Sequence, residues 1–278
     1  MNNVKFILET GCNHQGDLNI AVDMIKKAAE LKVWGIKFQK RDIESIPDNV
    51  KNKKRSLSNS FGETYYEHRK ALEFSVEQIK ELKNIAEKEG LIFICSSFDS
   101  KSIDDLISID CKYIKLPSQL LTRTNLKEKL CKVKYDKNIK ILVSTGMHEW
   151  EEIKSNHWLN EADVIFHCIS TYPAKLSEMN LDTIRNLKKI TNSEIGYSSH
   201  ENEGMGIKFA IFAGATYIER HFTLNAEWKG SDHGTVSSDV EEIKRIISDI
   251  EWVERILGTQ ERLCKLKERD IRKVYRGF

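Results

Sequence analysis

The chain has 278 residues, 40% of them hydrophobic, with 44 Lys and Arg against 42 Asp and Glu for a formal net charge of +2. That apolar fraction and small net charge exclude a disordered chain and predict one large folded domain or two modest ones. Basic residues alternate with acidic ones instead of forming a stripe, which excludes a nucleic-acid partner, and no apolar run reaches the ~18 residues of a membrane helix.

Short apolar runs alternate along the chain with longer stretches of 3.6-residue periodicity. Strands are predicted at residues 4–10, 35–39, 91–98, 113–118, 140–146, 163–171, 194–199 and 217–223, and helices at 19–32, 75–89, 181–190, 204–213 and 240–257. Runs such as LIFIC, KILVS and DVIFHC are almost continuously apolar, as expected of parallel strands covered on both faces. Eight such units over residues 1–258 predict an α/β fold, a single-domain (β/α)8 TIM barrel, with an open doubly wound sheet as the alternative one miscounted strand away. Residues 40–74 make a long connection between the second strand and its helix. Its length predicts a lid or binding loop, and Phe61, Tyr65, Tyr66 and Phe74 predict that it packs. Residues 259–278 are strongly basic and read as a terminal helix or linker without its own core. The N-terminal segment lacks the apolar block and cleavage site of a secretory leader, and the six cysteines form no CxxC pair. Reduced thiols and a cytoplasmic location are therefore expected, with no membrane association.

Every predicted strand ends in polar chemistry. In order these ends carry Glu9 with Asn13 and His14, Lys37 with Gln39, Ser96, Lys115 with Ser118, Ser144 with Thr145, Ser170 with Tyr172, Ser198 with His200, and Glu219 with Arg220 and His221. In a barrel these ends converge on one face, where catalytic groups belong. Charges in such positions are costly to bury unless paired or bound to a ligand. A single histidine is ordinary in a barrel core. His200 and His221, however, end the last two strands, and with Glu219 and Asp232 nearby they are candidate metal ligands, two imidazoles suiting Mn, Fe or Zn better than Mg. Lys37 and Lys115, with the hydroxyls of Ser96, Ser118, Ser144 and Ser198, form the donor set demanded by a ligand that carries both phosphate and carboxylate. A Schiff-base lysine is the rival use, but that chemistry needs one lysine, not two beside a metal. No GxxxxGK or GxGxxG loop is present.

The segments ETGCNHQGD, GIKFQK, TYYEHRKALEFS, YIKLPS, ILVSTGM, HCISTYP, NLDTI, IGYSSHENEG, GATYIERHFTL and WKGSDHGTVS together resemble the sialic acid synthase (N-acetylneuraminate synthase) family, closest to its animal-type branch. The resemblance implies a transferase that condenses phosphoenolpyruvate with N-acetylmannosamine, its 6-phosphate or a related aldose, and releases phosphate. It implies that His200 and His221 hold a divalent ion, Mn²⁺ with Mg²⁺ or Co²⁺ as alternatives, which polarises the sugar aldehyde. By the same resemblance Lys37, Lys115, Ser96, Ser118, Ser144 and Ser198 grip phosphoenolpyruvate, and Gln39, Tyr172 and Asp232 face the sugar. The resemblance also implies that Glu9 and Glu219 are acidic residues lining the site, counted with Lys115 as catalytic. Three positions depart from the family pattern. Ser96-Ser97-Phe98 stands for Thr-Pro-Phe, Ser199 for an Asp common in bacterial members, and Ser170, counted here among the substrate-binding residues, for an Asn. Family members usually continue beyond an Arg-rich linker into an antifreeze-like domain that reaches across a homodimer and lends an Arg to the partner's sugar site. The sequence ends at Phe278 within the linker-like stretch, so the loss of that Arg is expected to weaken sugar binding more than phosphoenolpyruvate binding. A synthase of another 3-deoxy-ulosonic acid and a non-catalytic barrel that binds the same ligands are the alternative readings.

Overall fold

Eight short strands, β1 (Lys5–Glu9), β2 (Gly35–Lys40), β3 (Ile92–Ser97), β4 (Tyr113–Leu116), β5 (Lys140–Ser144), β6 (Val164–Cys168), β7 (Glu194–Ser199) and β8 (Tyr217–His221), pair in parallel in sequence order. The ring closes through β1 and β8, in register from Lys5 opposite Tyr217 to Glu9 opposite His221, which excludes an open sheet. The protein is a (β/α)8 barrel. These features come from a computed structural model that describes residues 4–56, 60–228, 236–258 and 264–276. Most strands stop a few residues short of their predicted ends, so Gly146 and Ser170 lie in loops just beyond the sheet and Ser118 opens a short 3-10 turn, Ser118–Leu120.

The helices are α1 (Leu18–Glu30), α2 (Asp48–Lys51) and α3 (Tyr65–Leu72) in the long connection after β2, α4 (Val76–Lys88), α5 (Ser100–Ser108), α6 (Thr124–Lys134), α7 (Trp150–Lys154), α8 (Asp182–Ile190), α9 (Gly206–Ala213), α10 (Val240–Leu257) and α11 (Leu266–Arg276). Their starts are set locally. Asp17 accepts from the backbone N–H groups of Asn19 and Ile20, and Ser75 with Gln78 forms a reciprocal capping box. α11 buries none of its residues, and no helix among the described residues is long and apolar enough to cross a membrane.

Two apolar layers explain the continuous hydrophobic runs. Phe6, Leu8, Ile36, Phe38, Ile114 and Ile141 point outward and pack under the helices, while their alternating neighbours Ile7, Ile94, Leu142, Val164 and Phe166 fill the barrel. Below them Trp34 meets Tyr113 and Tyr217 edge-on at 5.5 and 5.4 Å, and the Lys5 ammonium donates to the Tyr217 hydroxyl at 2.7 Å. The N-terminal end of the barrel is thereby plugged by aromatic rings, and the polar strand ends lie on the other side of an apolar floor.

Gly196 makes that floor possible: a Cβ there would lie 2.6 Å from the Phe166 ring, over which the Lys115 ammonium rests at 4.0 Å from the centroid. The connection after β2 is anchored in a similar way. Gly16 has φ +75°, and a Cβ on it would lie 2.0 Å from the Ala71 carbonyl oxygen, so only glycine lets α3 close onto the β1–α1 turn. Phe74 is buried against the His14 ring at 4.4 Å, so the expected packing of this segment is real. Gly196→Ala is expected to overpack the floor and cost about 1–3 kcal/mol in urea unfolding; unchanged stability would contradict the close contact.

Candidate active site

Parallel register brings the charged strand ends together. Glu9 lies beside Lys37 across β1–β2, Ser96 beside Lys115 across β3–β4, and Ser198 beside Glu219 across β7–β8. All six side chains alternate to the inside, directly above Ile7, Ile94, Leu142 and Phe166. Four of them form one buried ionic array. Lys37 Nζ stands 2.6 Å from Glu9 Oε2 and 3.7 Å from Glu219 Oε1, and Lys115 Nζ donates to Glu219 Oε2 at 2.8 Å. Hydroxyls complete it: Lys37 donates to Ser96 Oγ at 2.9 Å, and Ser198 Oγ donates to Glu219 Oε1 at 2.9 Å. Each of the four charged side chains is at most 5% exposed.

Burial alone would neutralise these groups, and their charges resist it to different degrees. For Glu219, burial raises the pKa, but the Lys115 and Lys37 charges outweigh it and hold the carboxyl well below the usual carboxylate range. Burial works against Lys37 too, and Glu219 and Glu9 overcome it, so this ammonium is held above its ordinary value. Lys115 goes the other way, because burial, with Lys37 adding repulsion, exceeds what Glu219 returns. Lys115 is therefore the member of the array that gives up a proton most readily.

The two histidines stand at the rim with ring centroids 5.6 Å apart. His200 Nδ1 bonds the Ile169 carbonyl at 2.7 Å. A carbonyl only accepts, so the proton sits on Nδ1 and Nε2 keeps its lone pair. Burial and the neighbouring His221 push His200 down to about 3, leaving the imidazole neutral and able to ligate. Tyr172 covers the pair, 4.4 Å from the His200 ring and edge-on to His221 at 6.1 Å. Among the described residues no cluster of three or more His, Cys, Asp or Glu donors is close enough to hold a metal. The His200 imidazole with its tautomer fixed, and the His221 imidazole beside it, nevertheless fit a divalent ion that takes its remaining ligands from elsewhere. Asp232, which with Glu219 is the acidic group expected near the pair, lies outside the described residues.

A cavity of about 300 Å³ joins these groups. Of the residues singled out from the sequence, Glu9, Lys37, Gln39, Ser96, Lys115, Ser118, Ser144, Ser170, Tyr172, Ser198, His200, Glu219 and His221 all line it. Other polar strand-end residues serve the scaffold. Asn13 donates to the Phe222 carbonyl and Ser237 Oγ, Thr145 to the Phe166 carbonyl, and Arg220 to Ser238 Oγ at 2.8 Å. Arg220 turns away because it alternates between inward Glu219 and inward His221. The cavity also holds residues not anticipated as site residues, notably Cys12, Arg41, Arg69 and Met147. Arg41 had a signal, since it continues the 37, 39, 41 alternation. Arg69 had none, because only the fold of the long connection brings α3 to the barrel mouth.

A family profile described as the NeuB family matches residues 24–262. The chain belongs to the NeuB family. A human N-acetylneuraminate-9-phosphate synthase is 35% identical over 261 residues, covering 91% of this chain and 71% of that protein. An N,N'-diacetyllegionaminic acid synthase of Legionella pneumophila is 32% identical over 281 residues, covering 97% and 78%. Among solved structures, an N-acetylneuraminic acid (sialic acid) synthetase from Leptospira borgpetersenii serovar Hardjo-bovis, in complex with citrate, superposes with a TM-score of 0.84 at 27% identity over 99% of this chain and 93% of that one.

Removing the charge of Glu219 leaves Lys37 with Glu9 alone and takes from Lys115 the carboxylate it donates to. Glu219→Gln is expected to cost about 3–5 kcal/mol in urea unfolding at neutral pH. The loss is expected in full above an unfolded-state carboxyl value of about 4.3 and to shrink as pH falls through the depressed native value, where wild type loses the same charge. A variant as stable as wild type at neutral pH would contradict the array.

Proposed function

We propose that this NeuB-family chain condenses phosphoenolpyruvate with the open-chain form of an N-acylated hexosamine, giving a nonulosonic acid and inorganic phosphate. The observation that carries this reading is the array of Lys37, Glu9, Lys115 and Glu219, ringed by serine hydroxyls above an apolar floor. It presents two ammonium groups and several O–H donors to an anionic ligand at the mouth of the barrel. Relatives in the family are named as synthases of N-acetylneuraminate 9-phosphate and diacetyllegionaminic acid, products of one compound class.

In this reading Lys37 and Lys115, with Ser96, Ser118, Ser144 and Ser198, bind the carboxylate and phosphate of phosphoenolpyruvate. Its C3 forms a bond to the aldehyde carbon of the sugar, whose oxygen takes a proton and becomes a hydroxyl. Lys115, whose proton is the most loosely held, faces the reacting atoms from the floor. Positive charge developing at C2 is met by the ionised Glu219 and by Glu9. Water adds to C2, and the C2–O bond to phosphate breaks as the keto group forms, so one water is consumed and one phosphate leaves. Gln39, whose amide donates to Glu9 and accepts from Arg41, and Tyr172, tilted against the His200 ring, position the sugar. His200 and His221 would hold the divalent ion, Mn²⁺ being the expected one, which supplies Lewis-acid polarisation of the aldehyde when bound.

Phosphate release from phosphoenolpyruvate, measured with Mn²⁺ and a panel of N-acylated aldoses, tests the reading. Release that depends on an N-acylhexosamine is expected, whereas no release with any aldose would overturn the synthase and favour a binding barrel. In the same assay His221→Ala is expected to cut turnover by at least about 10²–10³-fold with an unchanged melting curve; retained turnover would remove His221 from the chemistry. Lys115→Ala is expected to raise KM for phosphoenolpyruvate by about 10- to 100-fold and KM for the sugar far less. Equal effects on both would mean that Lys115 is not a dedicated anion contact.

A further inference from the structure

His200 is held at both its ring and its backbone. Nδ1 donates to the Ile169 carbonyl at 2.7 Å, and the His200 carbonyl accepts from the Ala174 N–H at 2.9 Å. Residues 170–173, which bring Ser170 and Tyr172 to the cavity, therefore arch between two feet that both rest on His200. Nε2 is left facing inward, 3.4 Å from Ser198 Oγ. The sheet itself does not fix this geometry, because β7 ends at Ser199. The chain from His200 to α9 includes Glu203 at φ +59° and Gly204 at φ +62°, and a non-glycine residue in the left-handed region persists only where its surroundings hold it.

Glu201 supplies the restraint. It follows His200 directly, is 0% exposed, and does not line the cavity. Its carboxylate accepts three hydrogen bonds, at Oε2 from the Tyr197 hydroxyl at 2.7 Å and at Oε1 from Ser199 Oγ at 3.0 Å and the Gly206 N–H at 2.9 Å. The first two donors belong to β7 and the third to α9, so one side chain ties strand to helix across the turn. Its backbone is tied as well, by a parallel bridge to Ala174 and by Arg220 Nη1, which donates to the Glu201 carbonyl. Arg220 is in turn fixed by Ser238 Oγ at 2.8 Å and Ser199 Oγ at 3.2 Å. A buried carboxylate is costly, and here three donors offset that cost while fixing the backbone beside one imidazole.

We infer that Glu201 is a positioning residue: through Tyr197, Ser199 and Gly206 it holds the backbone at His200 so that Nε2 points into the cavity and the Tyr172 arch stays above it. The inference rests on the reading that His200 is a ligand of the divalent ion. Groups that orient a ligand from outside the coordination shell typically change metal affinity by about 10- to 100-fold.

Titration of the substrate-free protein with Mn²⁺, followed by the electron paramagnetic resonance of the free ion, tests the role in wild type, Glu201→Ala, Glu201→Gln and Tyr197→Phe. Glu201→Ala is expected to weaken Mn²⁺ binding by about 10- to 100-fold in protein that still melts cooperatively. Glu201→Gln keeps an oxygen for Ser199 and Gly206 and an amide that donates to the Tyr197 hydroxyl, so it is expected to stay within about threefold of wild type. Tyr197→Phe, which removes one donor outside the cavity, is expected to weaken binding by about 3- to 10-fold. A second reading needs no metal. In metal-free protein labelled with ¹⁵N-histidine, the His200 Nδ1 proton is expected to exchange slowly in wild type and to be lost to water in Glu201→Ala.

Wild-type Mn²⁺ affinity or an equally protected Nδ1 proton in folded Glu201→Ala would overturn the positioning role, as would Glu201→Gln binding as weakly as Glu201→Ala. If Glu201→Ala does not fold, unchanged affinity in Tyr197→Phe overturns it. Wild type that turns over but binds no Mn²⁺ overturns the inference and leaves the synthase; Mn²⁺ binding that follows these variants, with no turnover on any aldose, leaves the positioning role and removes the synthase.

Discussion

Two lysines and two glutamates share the interior of one closed ring of strands, and the rest of the molecule serves that fact. Buried charges of this kind persist only when each faces an opposite charge at close range. The Lys37–Glu9 and Lys115–Glu219 contacts, at 2.6 and 2.8 Å, need four strands held in fixed register. Parallel closure supplies that register. It also separates the array from water below by a floor of Ile7, Ile94, Leu142 and Phe166 and an aromatic plug of Trp34, Tyr113 and Tyr217.

The array can bind because it is balanced but crowded. Glu219 answers both ammonium groups, yet Lys115 remains easier to deprotonate than a free lysine. An incoming phosphate or carboxylate therefore finds N–H and O–H donors already oriented, with little reorganisation left to perform. Arg41 and Arg69 also line the cavity, and among the described residues neither forms an ion pair with a carboxylate.

Much of this was legible in the linear sequence, for a physical reason. In a parallel barrel every strand end points to the same face, so a polar residue following an apolar run is already assigned to the site before any contact is known. Glu9, Lys37, Lys115, His200, Glu219 and His221 were readable in this way. What failed to show was what alternation or long-range packing decides. Arg220 sits between two site residues and yet faces outward to Ser238, because neighbours on a strand point to opposite sides. Arg69 enters from a helix inside a connection whose length suggested a lid or binding loop without saying which residue would enter, and it reaches Cys12 because Gly16 allows α3 to close on the β1–α1 turn.

The central claim is that the paired lysines on the barrel floor are the receptor for the donor substrate. A crystal structure of the protein with phosphoenolpyruvate bound tests it most directly. The account predicts both the Lys37 and Lys115 ammonium groups within hydrogen-bond distance of the ligand's anionic oxygens, above the Phe166 ring. Phosphoenolpyruvate bound elsewhere, with the four-charge array undisturbed and untouched, would contradict it.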